Sequence, residues 1–417
     1  MMASQKVWSP ALHPKTTFHG AHFLPEARHT TRIVSLLLQT LRLCISEFYD
    51  AITDGFFRTI TIIARNSMTR PVIGIAMSGG VDSTACALML KQDYTISGFL
   101  MDLDLPDFKA QKERVQRLGE KIGIEIHVVD LKEQFKKKVL EYFTRSYFAG
   151  KTPNPCAICN HEIKFGLFMD AIIAAGSEFA ATGHYARIAD RQGDISLLKG
   201  IDPKKDQSYF LSRLSPQQLQ RVMFPLGSMI KEDTYRFVES HGFTDFRGRE
   251  SQDVCFFTGT RLGTFLNQHL KDGMTGGAIV TTSGEEIGRH QGLYHYTIGQ
   301  RRGLDLPHHS PWYVHTIDPD NNLLIVGKED ELFSRTIRAR LPNWLCQKIP
   351  EEGETYQVKT RSRHPGSVAL IQRIDTDSFE LLFRKPERAV TPGQFVVLYK
   401  DERVIGSGEI VSPSKSR

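Results

Sequence analysis

The segment Ile73-Gly-Ile-Ala-Met-Ser-Gly-Gly-Val-Asp-Ser83 constrains the chain most. An apolar run ends in two glycines and passes directly into Thr84-Ala-Cys-Ala-Leu-Met-Leu-Lys91. This reads as a buried strand, a tight turn and a helix. Gly79 and Gly80 can take dihedrals closed to other residues and let the backbone approach a ligand. The free N–H groups at the helix start, with the hydroxyls of Ser78 and Ser83, then suit a phosphate. No Gly-Lys-Ser/Thr follows, so this is not the usual P-loop, whose lysine reaches the outer phosphates.

The 417 residues are enough for two or three domains. Hydrophobic content of 40% and charged content of 24% fit a soluble globular protein. Net charge is +6, and residues 1–67 supply +3 of it, with seven Lys/Arg against four Asp/Glu. Charge alone therefore does not argue for nucleic-acid binding, and any RNA contact has to come from a local patch. Six cysteines in so long a chain point to a reducing compartment rather than a disulfide framework. Residues 1–67 contain apolar runs broken by Arg42, Glu47, Asp50, Asp54 and Arg58. None reaches the roughly 18 residues of a membrane span. Met68 directly precedes the first strand, so 1–67 reads as an over-called translation start, with a mitochondrial-type presequence as the alternative.

From Pro71 to about Arg221 strands and helices alternate. The strands are expected at Val72–Met77, Ile96–Met101, Ile124–Val129 and Glu178–Thr182, with helices over Phe108–Ile122, Leu131–Phe148 and His161–Ala175. Such alternation implies an α/β fold with a parallel, doubly wound sheet whose ligands sit beyond the carboxyl ends of the strands. The loop at 78–83, Met101 and Gly183-His184 fall at those ends. After Phe224-Pro-Leu-Gly227 the periodicity changes to a helix (Lys231–His241) and a loop-rich stretch. From Pro311 onward short alternating runs separated by turns read as a small antiparallel β-barrel. The expected division is an N-terminal extension (1–67), a nucleotide-binding catalytic domain (68–222), a small linking domain carrying Cys255 (223–310) and a C-terminal barrel (311–417).

Three cysteines stand out. Thr152-Pro-Asn-Pro-Cys156-Ala-Ile-Cys159 places two beside a helix start, where the dipole and free N–H groups favour thiolate. The third lies in Arg249-Glu-Ser-Gln-Asp-Val-Cys255-Phe-Phe257. Cys44, Cys86 and Cys346 read as small buried hydrophobes. A metal is the competing reading for the first three. Structural zinc wants four ligands and there is no second Cys-x-x-Cys. His161 would have to complete a zinc site, and an iron–sulfur cluster on Cys156, Cys159 and Cys255 is the more serious form. No metal is assigned with certainty.

Ser78-Gly-Gly-Val-Asp-Ser83 resembles the pyrophosphate loop of enzymes that split ATP into AMP and pyrophosphate. With it stand Thr152-Pro-Asn-Pro155, Cys159-Asn…Ile163-Lys-Phe165, Thr182-Gly-His-Tyr-Ala-Arg187 and Lys205-Asp-Gln-Ser-Tyr-Phe210. Ser251-Gln-Asp-Val-Cys255, Tyr296-Thr-Ile-Gly-Gln-Arg-Arg-Gly303 and Thr391-Pro-Gly-Gln394 follow in order. Together, from about Met68 to Ile410, they resemble the tRNA-specific 2-thiouridylase family. The resemblance implies a fold of the pyrophosphate-loop, adenine nucleotide alpha hydrolase-like type and a tRNA-uridine 2-sulfurtransferase activity. ATP, with Mg²⁺, would adenylate the uracil 2-oxygen of the wobble uridine in tRNAs for Lys, Glu and Gln. A persulfide on Cys255 would supply the sulfur. Cys159 would act as nucleophile and form a transient disulfide with Cys255.

The same resemblance assigns ATP to Ala76, Met77, Ser78, Gly79, Gly80, Val81, Asp82, Ser83, Met101 and Gly183. It assigns the target base to Asn154, Pro155 and Cys156, and tRNA contacts to His184, Lys205, Asp206, Gln207, Arg361, Ser362 and Gln394. Implied partners are tRNA and a sulfur donor, either a cysteine desulfurase or a sulfur-relay protein. The protein is expected to be a cytoplasmic monomer without a membrane segment.

Two departures matter. Many relatives carry Asp where this chain has Cys156, so any general acid–base role there needs another group. The stretch Asp102–Asp107 is shorter than the acidic insert of many relatives. Read without the family, His184 is a backbone-bonded turn residue, and Lys205 and Arg361 are solvated surface. The rival functions are an iron–sulfur-dependent tRNA thiolase, an ATP-dependent ligase or amidotransferase with the same loop, and a non-enzymatic RNA-binding module.

Overall fold

A computed structural model of the chain describes residues 70–191, 193–247, 254–256, 262–267, 276–306 and 310–411. Residues 1–69, including Cys44 and the proposed start at Met68, lie outside them, as do Ser251, Gln252 and Asp253.

The first apolar run forms the strand Val72–Ala76, central in a five-stranded sheet. The order is Ile126–Asp130, Thr95–Asp102, Val72–Ala76, Phe179–Ala181 and Val222–Met223, all parallel. Side-chain alternation sends Ile73 and Ile75 to one face, where they pack with Val81, Ala85, Val115, Tyr235 and Val238. The opposite face holds Phe99, Phe135, Ile163, Phe168 and Ile172. Both faces are covered, as a parallel sheet requires. The strand order reverses between Val72–Ala76 and Phe179–Ala181, and the chain leaves those strands through Met77–Gly80 and Thr182–His184. A crevice opens at such a reversal.

All four expected strands form, within two residues of their expected ends. Two features were not anticipated. The short strand Val222–Met223 adds an edge to the parallel sheet. The segments Ala186–Arg191 and Asp194–Lys199 form an antiparallel hairpin. That hairpin belongs to the C-terminal sheet, joining it through the pairing of Leu198 with Arg403.

The C-terminal strands are Phe333–Trp344, Thr355–Lys359, Ser367–Ile374, Ser378–Arg388, Phe395–Lys400 and Arg403–Val411. Pairing between the first and last closes them into a six-stranded antiparallel barrel. Its interior is filled by Ile337, Val358, Ile371, Phe379, Leu381, Val396 and Ile410. The runs expected to open the barrel, Tyr313–Asp318 and Leu323–Gly327, enter a different sheet. They pair with each other and with Gly277–Thr281, whose neighbour is Glu286–His290, around Ile279, Val314 and Leu324. The later six strands close on themselves without them.

The barrel is fastened to the parallel-sheet unit by buried polar bonds. The Tyr209 hydroxyl donates to the Phe395 carbonyl at 2.9 Å, and Asn343 Nδ2 donates to Ser212 O and Leu214 O at 2.8 and 2.9 Å. Replacing Tyr209 by Phe keeps the ring and orphans a buried carbonyl, which costs about 1–3 kcal/mol. Tyr209→Phe is therefore expected to lower the thermal midpoint by a few degrees in calorimetry. An unchanged midpoint would show that this bond does not hold the barrel in place.

Candidate active site at the glycine turn

The turn after Val72–Ala76 is built around Ser83. Its hydroxyl donates to Gly80 O at 3.0 Å and accepts from Ser78 N at 3.3 Å. Gly79 has φ +82°, a conformation that suits glycine, and a Cβ there would meet Arg114 Nε at 2.8 Å. Gln111 Nε2 donates to Ser78 O at 3.0 Å, so the helix Phe108–Ile122 braces the turn from one side. The helix Val81–Leu90 starts at Gly80 without a side-chain cap. Its first-turn amides, by helix geometry, lack intrahelical acceptors. Beside them the buried Arg114 Nε has no hydrogen-bond partner in the structure. Uncapped amides and an orphaned guanidinium nitrogen form a donor set that fits phosphate oxygens.

Asp82 is held from below. Lys231 Nζ lies 2.8 Å from both carboxylate oxygens, and the Tyr185 hydroxyl donates to Oδ1 at 2.9 Å. Thr234 Oγ1 lies 2.9 Å from the same tyrosine hydroxyl. Gly183 presses on the other side, where a Cβ would meet Asp82 Cβ at 2.7 Å. Glycine is needed there because two loops from neighbouring strands touch backbone to backbone.

The thiols enter from a helix on the opposite wall. Asn154 Oδ1 accepts from Ala157 N at 3.1 Å and Pro155 occupies the first turn, so the helix begins at Pro155, ahead of the expected His161. Cys156 and Cys159 therefore lie inside its first turns. A π-helical run, Cys159–Phe168, follows, interrupted by non-helical dihedrals at Gly166. Cys255 arrives 96 positions later in sequence. Its neighbour Phe256 places it, with ring centroids 6.0 Å from Phe135, 5.2 Å from Phe143 and 5.6 Å from Phe265.

One cavity of about 430 Å³ unites these parts. Its lining includes Ala76, Met77, Ser78, Asp82, Ser83, Met101, Pro155, Cys156, Cys159, Lys164, Gly183, His184, Gln207 and Cys255. Gly79, Gly80 and Val81 belong to the same turn, while Asn154 caps the thiol helix from a buried position. Lys164 is the only lysine or arginine among the described lining residues.

The expectation of thiolate character from the helix start is corrected. Burial pushes the Cys159 thiol up to about 12, with Cys255 and Cys156 adding to the rise and Lys164 opposing it. Partial burial also raises Cys156, and desolvation by the surrounding cavity wall raises Cys255 although its surface is open, in both cases against Lys164. Desolvation of the anion outweighs the helix start here. His184 is held well below its usual range by burial and then by Lys164, so it is a neutral imidazole. Its Nδ1 lies 2.8 Å from Thr182 Oγ1 and its ring packs on Phe165 and Phe224. Cys86 is fully buried and raised, as a packing cysteine should be. Among the described residues no group of three His, Cys, Asp or Glu side chains is placed to hold a metal ion.

The residues expected to meet tRNA divide into two sets. Arg361 is exposed and Ser362 half-buried, on a turn held by His364 Nε2 against Glu387 Oε1 at 2.8 Å. Asp206 and Gln394 are committed internally. The Asp206 side chain is 6% exposed and accepts from Gly200 N and Ser208 N, with Lys359 Nζ 3.7 Å away. Gln394 Nε2 donates to Thr152 O at 2.9 Å and to Pro153 O at 3.3 Å, bracing the extended segment that leads into the thiol helix. Gln207 Oε1 accepts from Tyr185 N at 2.9 Å. Lys205 N donates to Asp202 O at 3.0 Å within the same turn. Sequence reasoning missed Lys231, Tyr185, Arg114 and Lys164. Only Lys164 carried a signal, as a lysine set between the buried Ile163 and Phe165.

Gly183→Ala drives a methyl group into Asp82. It is expected to weaken ATP binding at least about tenfold by calorimetric titration while circular dichroism is unchanged, because close backbone approach is what glycine provides. Unaltered affinity would detach Gly183 from the nucleotide site.

Residues 71–259 match the family described as tRNA methyl transferase HUP domain, 263–328 the tRNA methyl transferase PRC-barrel domain, and 334–410 the aminomethyltransferase beta-barrel domain. The chain is 47% identical over 344 residues to the tRNA-specific 2-thiouridylase MnmA of Desulfotalea psychrophila, covering 82% of this chain and 100% of that protein. It is 40% identical over 341 residues to the protein of the same name from Syntrophomonas wolfei, covering 81% and 99%. For that of Carboxydothermus hydrogenoformans the identity is 36% over 357 residues, covering 82% and 98%. With matches at this level along almost the whole length of each relative, the chain belongs to the tRNA-specific 2-thiouridylase family.

Proposed function

We propose that the protein performs ATP-dependent 2-thiolation of the wobble uridine of tRNA. The observation that carries this is the shared cavity: Cys156, Cys159 and Cys255 line the same space as the uncapped helix start after the glycine turn. An adenylating ligase or amidotransferase has use for the turn and none for three converging thiols. The descriptions of the matched domains mention methyl transfer, but the thiols favour sulfur chemistry.

The uracil 2-oxygen is a poor leaving group, so it has to be converted to an adenylate. The turn from Ala76 to Ser83, with Arg114, holds the phosphates, and Met101 and Gly183 bound the adenosine. Mg²⁺ bound to the phosphates would neutralise part of their charge. The carboxylate nearest them, Asp82, is already paired with Lys231. Asn154, Pro155 and Cys156 receive a base flipped out of the anticodon stack. The terminal sulfur of a Cys255 persulfide attacks carbon 2, and AMP departs with the carbon–oxygen bonding pair. The Cys159 thiolate then attacks Cys255 Sγ. A Cys159–Cys255 disulfide forms, the sulfur–sulfur bond to the substrate breaks, and 2-thiouridine leaves with the reduced sulfur. A thiol reductant resets the disulfide.

Cys255 is exposed, as loading by a cysteine desulfurase or relay protein requires. Lys205, Arg361 and Ser362 contact the tRNA directly. Asp206, Gln207, His184 and Gln394 act by holding the surfaces that meet it. In domain terms, 68–222 binds ATP, 223–310 presents Cys255 and 311–417 engages the tRNA, with tRNAs for Lys, Glu and Gln as substrates. No helix among the described residues is long and apolar enough to cross a membrane. A cytoplasmic monomer completes the reading, since the thiols need a reducing compartment.

The test is nucleoside mass spectrometry of tRNA incubated with the protein, ATP, Mg²⁺, a thiol reductant, and cysteine with a cysteine desulfurase, whose persulfide passes its outer sulfur to Cys255. Wild-type protein should yield 2-thiouridine. Cys255→Ser and Cys159→Ser should lower the yield at least about a thousandfold, as for loss of a covalent nucleophile. In both variants tRNA-dependent release of pyrophosphate should persist. Full yield in either variant would remove that cysteine from the transfer, and pyrophosphate release with no 2-thiouridine from wild-type protein would favour the ligase reading.

A further inference from the structure

Desolvation raises all three thiols of this cavity, Cys159 from a buried position, Cys156 from a half-buried one and Cys255 from the open end of the lining. Sulfur transfer needs them, or a persulfide on them, as anions. Some group has to compensate the charge when it appears. The cavity lining holds few candidates. His184 is neutral, and Asp82 is negative and engaged by Lys231 and Tyr185. The one lining cation among the described residues is Lys164.

Its placement follows from the local helix form. In an α-helix a residue five positions after Cys159 points about 140° away from it. The run Cys159–Phe168 is π-helical, hydrogen-bonded between residues five apart, so positions 159 and 164 come close to alignment. Ile163 and Phe165 are both fully buried in the core and fix the lysine between them. The charge of Lys164 opposes the effect of burial at Cys156, Cys159 and Cys255 alike, and it helps keep His184 neutral.

We propose that Lys164 is a catalytic residue of sulfur transfer, its ammonium being the counter-charge beside which Cys159 and the Cys255 persulfide become anionic in turn. The proposal rests on the sulfur-transfer reading above. It gives the ammonium two successive tasks. When the persulfide proton leaves, Lys164 faces the new sulfur anion until that sulfur bonds to carbon 2. When Cys159 loses its proton to attack Cys255 Sγ, the same charge faces Cys159. No proton need leave Lys164 in either step. The titratable groups that line the cavity with it are the three thiols, His184 and Asp82.

The test measures alkylation of Cys159 and Cys255 by iodoacetamide as a function of pH, by mass spectrometry, in the full-length protein without substrates. A neutral isostere, Lys164→Met, should shift both profiles to higher pH. It should slow labelling at pH 8 about tenfold, the change that one pKa unit makes in thiolate fraction. Lys164→Arg should lie near wild type. In single-turnover formation of 2-thiouridine from persulfide-loaded protein, the Met variant should fall about a hundredfold and Arg should recover most of it, with KM for ATP unchanged. A lysine that only contacts tRNA phosphate would leave alkylation untouched. Superimposable profiles for wild type and Lys164→Met would overturn the proposal, as would Arg behaving like Met. Failure of the sulfur-transfer reading looks different: wild-type protein would then yield no 2-thiouridine, whatever the alkylation profiles.

Discussion

The pairing of Asp82 with Lys231 is the joint on which the site depends. A carboxylate at the glycine turn would cost desolvation if left alone and would repel any anion brought to the helix start. Lys231 reaches both of its oxygens, and Tyr185 and Thr234 complete the set. The partners come from separate places: the turn itself, the strand-end after Phe179–Ala181, and the helix Lys231–Ser240. One ion pair thus joins the parallel sheet to the segment that leads toward Cys255. The backbone of Lys231 is fixed too, since its N–H donates to Asp202 at 3.0 Å.

The second constraint is the conflict between burial and reactivity. A thiol that must not be lost to stray oxidants gains from being enclosed, yet enclosure disfavours the anion that reacts. Cys159 is 8% exposed and Cys255 is exposed, so the two divide the requirement. The open one is reachable from outside. The enclosed one meets only what the cavity admits. Phe256 serves both, because its anchoring among Phe135, Phe143 and Phe265 carries Cys255 to the thiol helix without a covalent tie.

Much of this was legible from residues alone, for identifiable reasons. The glycine turn announces itself because backbone sterics leave few alternatives at Gly79. The parallel strands were readable because double burial makes them continuous apolar runs. The six-stranded barrel was readable from alternation, but sheet membership was not. Tyr313–Asp318 alternates as well as Ser367–Ile374 does, and only closure of the barrel decides which strands it takes. The hairpin Ala186–Lys199 was hidden for the same reason, since its partner strand lies some two hundred positions on. In the site, the three cysteines stood out by chemistry, whereas Lys231 did not, because a lysine reads as solvated surface until a fold buries it, and Lys164 was marked only by its apolar neighbours. The state of the thiols was misjudged because a helix start is visible in sequence and desolvation is not.

The bracing of Thr152 and Pro153 by Gln394, together with the hairpin that completes the C-terminal sheet, bears on how such a protein can be dissected. The nucleotide-binding part is not a portable cassette. Cutting the chain before Phe333 would strip the thiol helix of the amide that aligns its entry and expose Tyr209 and Leu197 to water. Grafting this glycine turn onto another scaffold would leave the thiol wall of the cavity behind. That wall depends on contacts between segments more than two hundred residues apart, and it travels only with the barrel attached.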